Sequence, residues 1–119
     1  MAKLRSLYEV MFLLQHESCY YCKRTLPNKP SSKAGDPGWT RDHVIPRSSG
    51  AQKTGNILLV CRACNTKKAD SMPSAERIAY AQDLYDRANR IQNEWYKYVR
   101  QTPRKQRTKR LYDLIAETL

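Results

Sequence analysis

Two Cys-x-x-Cys pairs, Cys19/Cys22 and Cys61/Cys64, constrain this chain more than any other feature. Four thiolates in two short pairs fit a closed tetrahedral zinc site, and forming that site brings the two pairs together. Residues 23–60, 38 in all, separate Cys22 from Cys61. That exceeds the ~15–20 of an ordinary zinc ribbon, so something folded must fill the insert. An exported chain could oxidise the same cysteines to disulfides, but nothing else in the sequence suggests export. A redox pair would need only one Cys-x-x-Cys and a thioredoxin-like βαβ pattern, which is absent. Zinc is the better reading, and its role is structural because four thiolates leave no open position for a substrate.

The insert and its far end carry a second set of polar groups: Asp42-His43 inside it, and Asn65 directly after Cys64. A helix starting near Arg62 would point Cys64 and Asn65 about 100° apart. Cys64 could then face zinc while Asn65 faces a different centre. Asp42 offers a carboxylate oxygen and Asn65 an amide oxygen, hard ligands suited to Mg²⁺ or Mn²⁺. His43, with an ordinary pKa of ~6.5, can accept a proton from water at neutral pH. A regular strand would send Asp42 and His43 to opposite faces, so this reading expects a bend or bulge there. Taken alone, Asn65 reads as a helix cap or turn residue.

Net charge supports a polyanionic partner. The 119 residues carry a formal charge of +11, and it is unevenly spread. Residues 1–18 and 71–99 each sum to zero, whereas 19–70 sum to +7 and 100–119 to +4. Solvated lysines scattered over a helix would not segregate in this way. Nucleic acid is the simplest partner, with Arg104, Lys105 and Arg107 in the basic stretch 100–110 adding backbone affinity. No apolar run approaches the ~20 residues that span a bilayer, so no membrane segment is expected. The first residues do not read as a signal peptide, and a cytoplasmic location is expected.

Apolar periodicity predicts a helix over 3–16, followed by a zinc turn over 17–26. A Pro/Gly/Ser-rich loop over 27–38 is expected to be the most mobile segment. Trp39 to Pro46 is extended in character, Ile57–Val60 suits a buried strand, and Arg62–Asp70 reads as a helix. Ser71–Ser74 breaks the chain and offers a cap for a long helix reaching about Gln101. Its stripe is Ile78, Ala81, Tyr85, Ala88, Ile91, Trp95 and Val99, which should meet the first helix, the last helix or a second subunit. A short final helix covers 111–119. The expected fold is α+β and mostly helical: a ββα module at 1–72, with its N-terminal helix, and a helical extension at 73–119.

Asp42-His43-Val44-Ile45-Pro46-Arg47-Ser48, Gly50, Asn56-Ile57-Leu58 and Cys61-x-x-Cys64-Asn65-x-x-Lys68 follow one another in this order. The set resembles the HNH endonuclease family, with its ββα-metal fold, over roughly residues 19–70. It is similar to the endonuclease VII branch and to phage and restriction-type members. The resemblance implies DNA cleavage with His43 as general base and one catalytic divalent ion held by Asp42 and Asn65. Products would carry 5′-phosphate and 3′-hydroxyl ends. Asn56 would brace the loop between the strands and help orient His43, while Arg47 and Lys68 would contact phosphates. Two departures stand out: Gly50-Ala51 where many members have Gly-Gly, and Asn65 where many have His. A chain this small has little room to read sequence, so nicking, structure-directed cleavage or recruitment by a partner is expected. The rival reading is a zinc-dependent DNA-binding or packaging accessory without catalysis.

Overall fold

The computed structural model describes residues 7–45, 55–68, 74–108 and 110–118. Elements run α1 (Leu7–Leu14), β1 (Trp39–His43), β2 (Ile57–Cys61), α2 (Arg62–Lys68), α3 (Ala75–Gln101) and α4 (Leu111–Thr118). The two strands form an antiparallel pair in continuous register, from Trp39 opposite Cys61 to His43 opposite Ile57. With α2 following β2 directly, the fold is α+β and mostly helical, built around a ββα unit.

The first helix ends earlier than its periodicity suggests, for a local reason. His16 and Glu17 have φ of 61° and 54°, left-handed values that an α-helix cannot continue through. Val10 to Leu14 are buried without interruption, so α1 is wrapped on several sides instead of facing the core along one stripe. Gln15, next in the chain, is also buried, and its amide acts as a substitute strand partner. Its Nε2 donates to the Leu59 carbonyl at 2.7 Å, and its Oε1 accepts from the Leu59 N–H at 3.0 Å. Those are the backbone groups that β2 turns away from β1. Tyr20 N–H also reaches Leu59 O at 3.2 Å.

The loop at 27–38 is tied back onto β1. Ser31 N–H donates to Trp39 O at 2.8 Å, and Trp39 N–H donates to Lys29 O at 3.0 Å. The Trp39 indole donates to Asn28 Oδ1 at 3.2 Å. Asp36 Oδ2 gathers the Ser32 N–H, the Ser32 hydroxyl and the Lys33 N–H. Gly38 permits the crossing, since a Cβ there would lie 2.2 Å from Lys29 O.

The long helix α3 starts and stops where its sequence signals lie. Ser74 caps it by accepting from Arg77 N–H at 3.1 Å; Thr102-Pro103 ends it. Its buried stripe is Ala81, Leu84, Ala88, Ile91 and Trp95, a three-four spacing with Leu84 on it and Tyr85 only half-buried. The stripe packs against α1, α4 and β2. At ~1.5 Å per residue α3 is about 40 Å long and sets the 48 Å long axis of the molecule. Leu111, Leu114 and Ile115 of α4 join the same core. No helix among the described residues is long and apolar enough to cross a membrane.

Candidate metal centres and hydrolytic site

The cysteines arrive from two local structures. Cys19 and Cys22 sit on a tight turn in which Cys19 N–H donates to Arg24 O at 2.9 Å and Lys23 N–H to Cys19 O at 3.0 Å. Lys23 takes a left-handed φ of 64° to close that turn. Cys61 ends β2 and Cys64 lies one turn into α2. All four Sγ atoms fall within 4.8 Å of one another, with Cys22 and Cys61 Sγ 3.9 Å apart. A tetrahedral ion with Zn–S of ~2.3 Å requires about 3.8 Å between sulfurs. The spacing and the donor set therefore fit a four-thiolate ion.

Two of the thiols differ in acidity. The Arg24 backbone N–H pulls Cys22 down to about 7, with help from the neighbouring thiols. Burial, reinforced by the same neighbours, pushes Cys64 up to about 12. Crowded thiols cannot all ionise together unless a cation compensates them.

Asn65 is oriented by β1. Its Nδ2 donates to Thr40 Oγ1 at 3.1 Å and lies 3.4 Å from Arg41 O. Thr40 spends its own proton on Val60 O, at 3.0 Å. Both contacts of the Asn65 amide are thus acceptors, which assigns nitrogen to that side and turns Oδ1 away from it. Thr40 and Asp42 are two residues apart on one strand and share a face. The pleat therefore brings Asp42 and Asn65 to the same side of β1.

Asp42 is only 2% exposed. Tyr21, between the first two cysteines, donates its hydroxyl to Asp42 Oδ2. Burial first, and the adjoining carboxylate second, hold the Tyr21 phenol well above its ordinary pKa, so it remains a donor. Neither Tyr21 nor Thr40 is singled out by the sequence reading. Thr40 was discoverable, because period two places it beside Asp42. No local pattern marks Tyr21.

His43 is half-buried at the last paired position of β1. The ladder passes through Asp42 and His43 without a bulge, so the bend expected from the sequence is absent from the paired segment. Pleating sends the two side chains to opposite sides of the strand. Beyond this pair Asn56 takes over. Its backbone O accepts from Val44 N–H at 2.9 Å, its Oδ1 from Ile45 N–H at 2.9 Å, and its Nδ2 donates to Ile45 O at 3.1 Å. Asn56 is buried and clamps both stems of the loop, starting one residue past His43.

Of the basic residues expected to meet phosphate, Arg47 lies outside the described residues. Lys68 ends α2. Arg104 and Lys105 are exposed on a short 3-10 turn. Arg107 has a structural use: its guanidinium donates to Thr102 O at 2.9 Å and Val99 O at 2.8 Å, closing the end of α3.

Residues 19–71 match the family model described as HNH endonuclease. No curated protein and no solved structure matches the chain. The matched segment begins at the first cysteine and contains both strands, α2 and the whole four-cysteine cluster. This arrangement supports a nuclease-type or DNA-binding role, and residues 19–71 are the segment similar to the HNH endonuclease family.

Proposed function

We propose that the chain is a metal-dependent endonuclease that hydrolyses DNA phosphodiester bonds. The observation that carries this reading is the shared face of Asp42 and Asn65, fixed through Thr40 inside the segment that matches the family. Asp42 and the Asn65 carbonyl oxygen would hold one Mg²⁺ or Mn²⁺, an all-oxygen set that suits a hard cation. When bound, that ion supplies stabilisation of the negative charge that develops on the scissile phosphate. His43, at the last paired position of β1, takes a proton from the attacking water. Asn56 holds the chain immediately after His43 and so limits where the imidazole can swing. Cys19, Cys22, Cys61 and Cys64 hold a structural zinc that locks the turn at residue 19 onto the start of α2. Lys68, Arg47, Arg104 and Lys105 contribute contacts to backbone phosphates, and the +11 charge draws the polyanion in.

Plasmid nicking with Mg²⁺ or Mn²⁺ tests the reading, wild type beside His43→Ala. Wild type should nick, leaving ends that a ligase can reseal, and His43→Ala should lose about 10²–10⁴-fold in rate. Equal rates for the two proteins would remove His43 from the mechanism.

One observation favours a second reading, a DNA-binding or packaging accessory without catalysis. The unbroken ladder sets Asp42 and His43 on opposite sides of β1. A chain that binds DNA with both metals present and never cleaves it would establish that alternative.

A further inference from the structure

We propose that Arg41 grips a backbone phosphate of the bound DNA beside His43, with the Tyr8 ring holding its guanidinium in place for that contact. The inference deepens the nucleolytic reading and takes its substrate from it. Period two along β1 puts Trp39, Arg41 and His43 on one face of the strand, opposite to Thr40 and Asp42. Trp39 is buried under α1, with ring centroids 6.2 Å from Tyr8 and 6.4 Å from Phe12. Arg41, two residues on, is exposed, and its guanidinium carbon lies over the Tyr8 ring, 5.2 Å from the centroid. Among the described residues no carboxylate is paired with it.

An exposed arginine lying along an aromatic ring is often packing and nothing more. Chemistry and placement set this one apart. Contact with a ring uses the face of a guanidinium and leaves its N–H edge, a planar fork that meets phosphate oxygens two at a time. Tyr8 is itself packed against the core, so the support is fixed and less side-chain freedom remains to be lost on binding. Two residues along a strand span about 6.6 Å, which brings the fork within reach of a phosphate presented to His43. The Arg41 carbonyl lies 3.4 Å from Asn65 Nδ2. Arg41 thus stands between the candidate base and a candidate metal ligand.

Anisotropy of a labelled short DNA duplex, titrated with the zinc-loaded chain before Mg²⁺ or Mn²⁺ is added, reads the contact without cleavage; plasmid nicking then reads the reaction. Arg41→Ala should raise Kd about tenfold and flatten the slope of log affinity against log salt by about one. Its urea midpoint should stay close to wild type. Arg41→Lys should keep the slope and recover only part of the affinity, because an ammonium lacks the planar fork. Tyr8→Leu should weaken binding in the same direction, by less. Unchanged Kd and salt slope in Arg41→Ala, with wild type still nicking, overturn the role of Arg41 and leave the nucleolytic reading standing. Wild type that binds the duplex and never nicks, with the Arg41→Ala loss intact, removes the nucleolytic reading and supports the phosphate contact. Full affinity in Tyr8→Leu overturns the part given to the ring. If Tyr8→Leu does not fold, the two Arg41 variants, altered at an exposed position, still decide the phosphate contact.

Discussion

Thr40 Oγ1 accepts a hydrogen bond from Asn65 Nδ2 at 3.1 Å while donating its own proton to the Val60 carbonyl at 3.0 Å. One hydroxyl thus ties β1 to β2 and sets which end of the Asn65 amide faces outward. Thr40→Val keeps the shape and removes both bonds. We expect a stability loss of about 1–3 kcal/mol, the usual net worth of two hydrogen bonds. The Mg²⁺ concentration for half-maximal nicking should rise about tenfold or more, because the amide can then turn its nitrogen toward the ion. Thr40→Ser should retain the wild-type metal dependence. Equal metal dependence in Val and wild type would show that Thr40 does not orient Asn65.

Gln15 should matter more than its place at a helix end suggests. Its amide bonds both backbone groups of Leu59. Tyr20 N–H also serves Leu59 O, so Gln15→Ala strands chiefly the Leu59 N–H. Leaving a buried donor unpaired costs about 1–3 kcal/mol, readable as a lower urea midpoint with unchanged slope. Gln15→Glu restores only the acceptor and should recover part of the loss.

Metal removal should unfold the ββα module. Four thiolates on a structural ion contribute on the order of 10 kcal/mol, and in so small a core little can replace that. One zinc per chain is expected, with loss of cooperative melting after prolonged chelation or in Cys61→Ser. Proton release on zinc uptake carries a definite sign. Cys64, pushed up to about 12, must give up a proton to bind zinc at any pH below that. Cys22, pulled down to about 7, is mostly thiolate at pH 8 and contributes little there. Below pH 7 it is protonated and must also be stripped. Protons released per zinc should therefore rise, and zinc affinity fall, as pH drops through 7. Calorimetry in buffers of different ionisation heat measures this directly, and a constant proton count would contradict it.

The basic C-terminal stretch should divide into two behaviours. Arg107 is committed to the carbonyls of Val99 and Thr102, so Arg107→Ala should cost about 1.5–3 kcal/mol, typical for a hydrogen bond to a charged group. Arg104→Ala/Lys105→Ala removes exposed charges and should change stability by less than about 0.5 kcal/mol. It should flatten the slope of log affinity for DNA against log salt by about two. Chemical denaturation and a salt titration of DNA binding separate the pairs. A salt slope that does not change would place the DNA elsewhere on the surface.

Local chemistry made much of this protein legible in advance. Spacing alone paired Cys19/Cys22 with Cys61/Cys64, and the four thiols do meet. Ser74 and Thr102-Pro103 announced both ends of α3, because caps and breakers act within a turn of themselves. The apolar run at Ile57 became β2 and Arg62 opened α2. Periodicity reports a helix's apolar side only relative to its own axis. Whether Leu84 or Tyr85 is buried in α3 was settled by the positions of α1, α4 and β2, elements distant in sequence. The same holds for Gln15 on Leu59, Tyr21 on Asp42 and Thr40 on Asn65, pairs that are 44, 21 and 25 residues apart. A side-chain hydrogen bond leaves no trace in spacing, because any polar residue can make one and only the folded backbone decides which partner comes within 3 Å. For the same reason the chain carried its candidate ligands openly, while their orientation and the unbroken strand beneath Asp42 and His43 belonged to the tertiary structure.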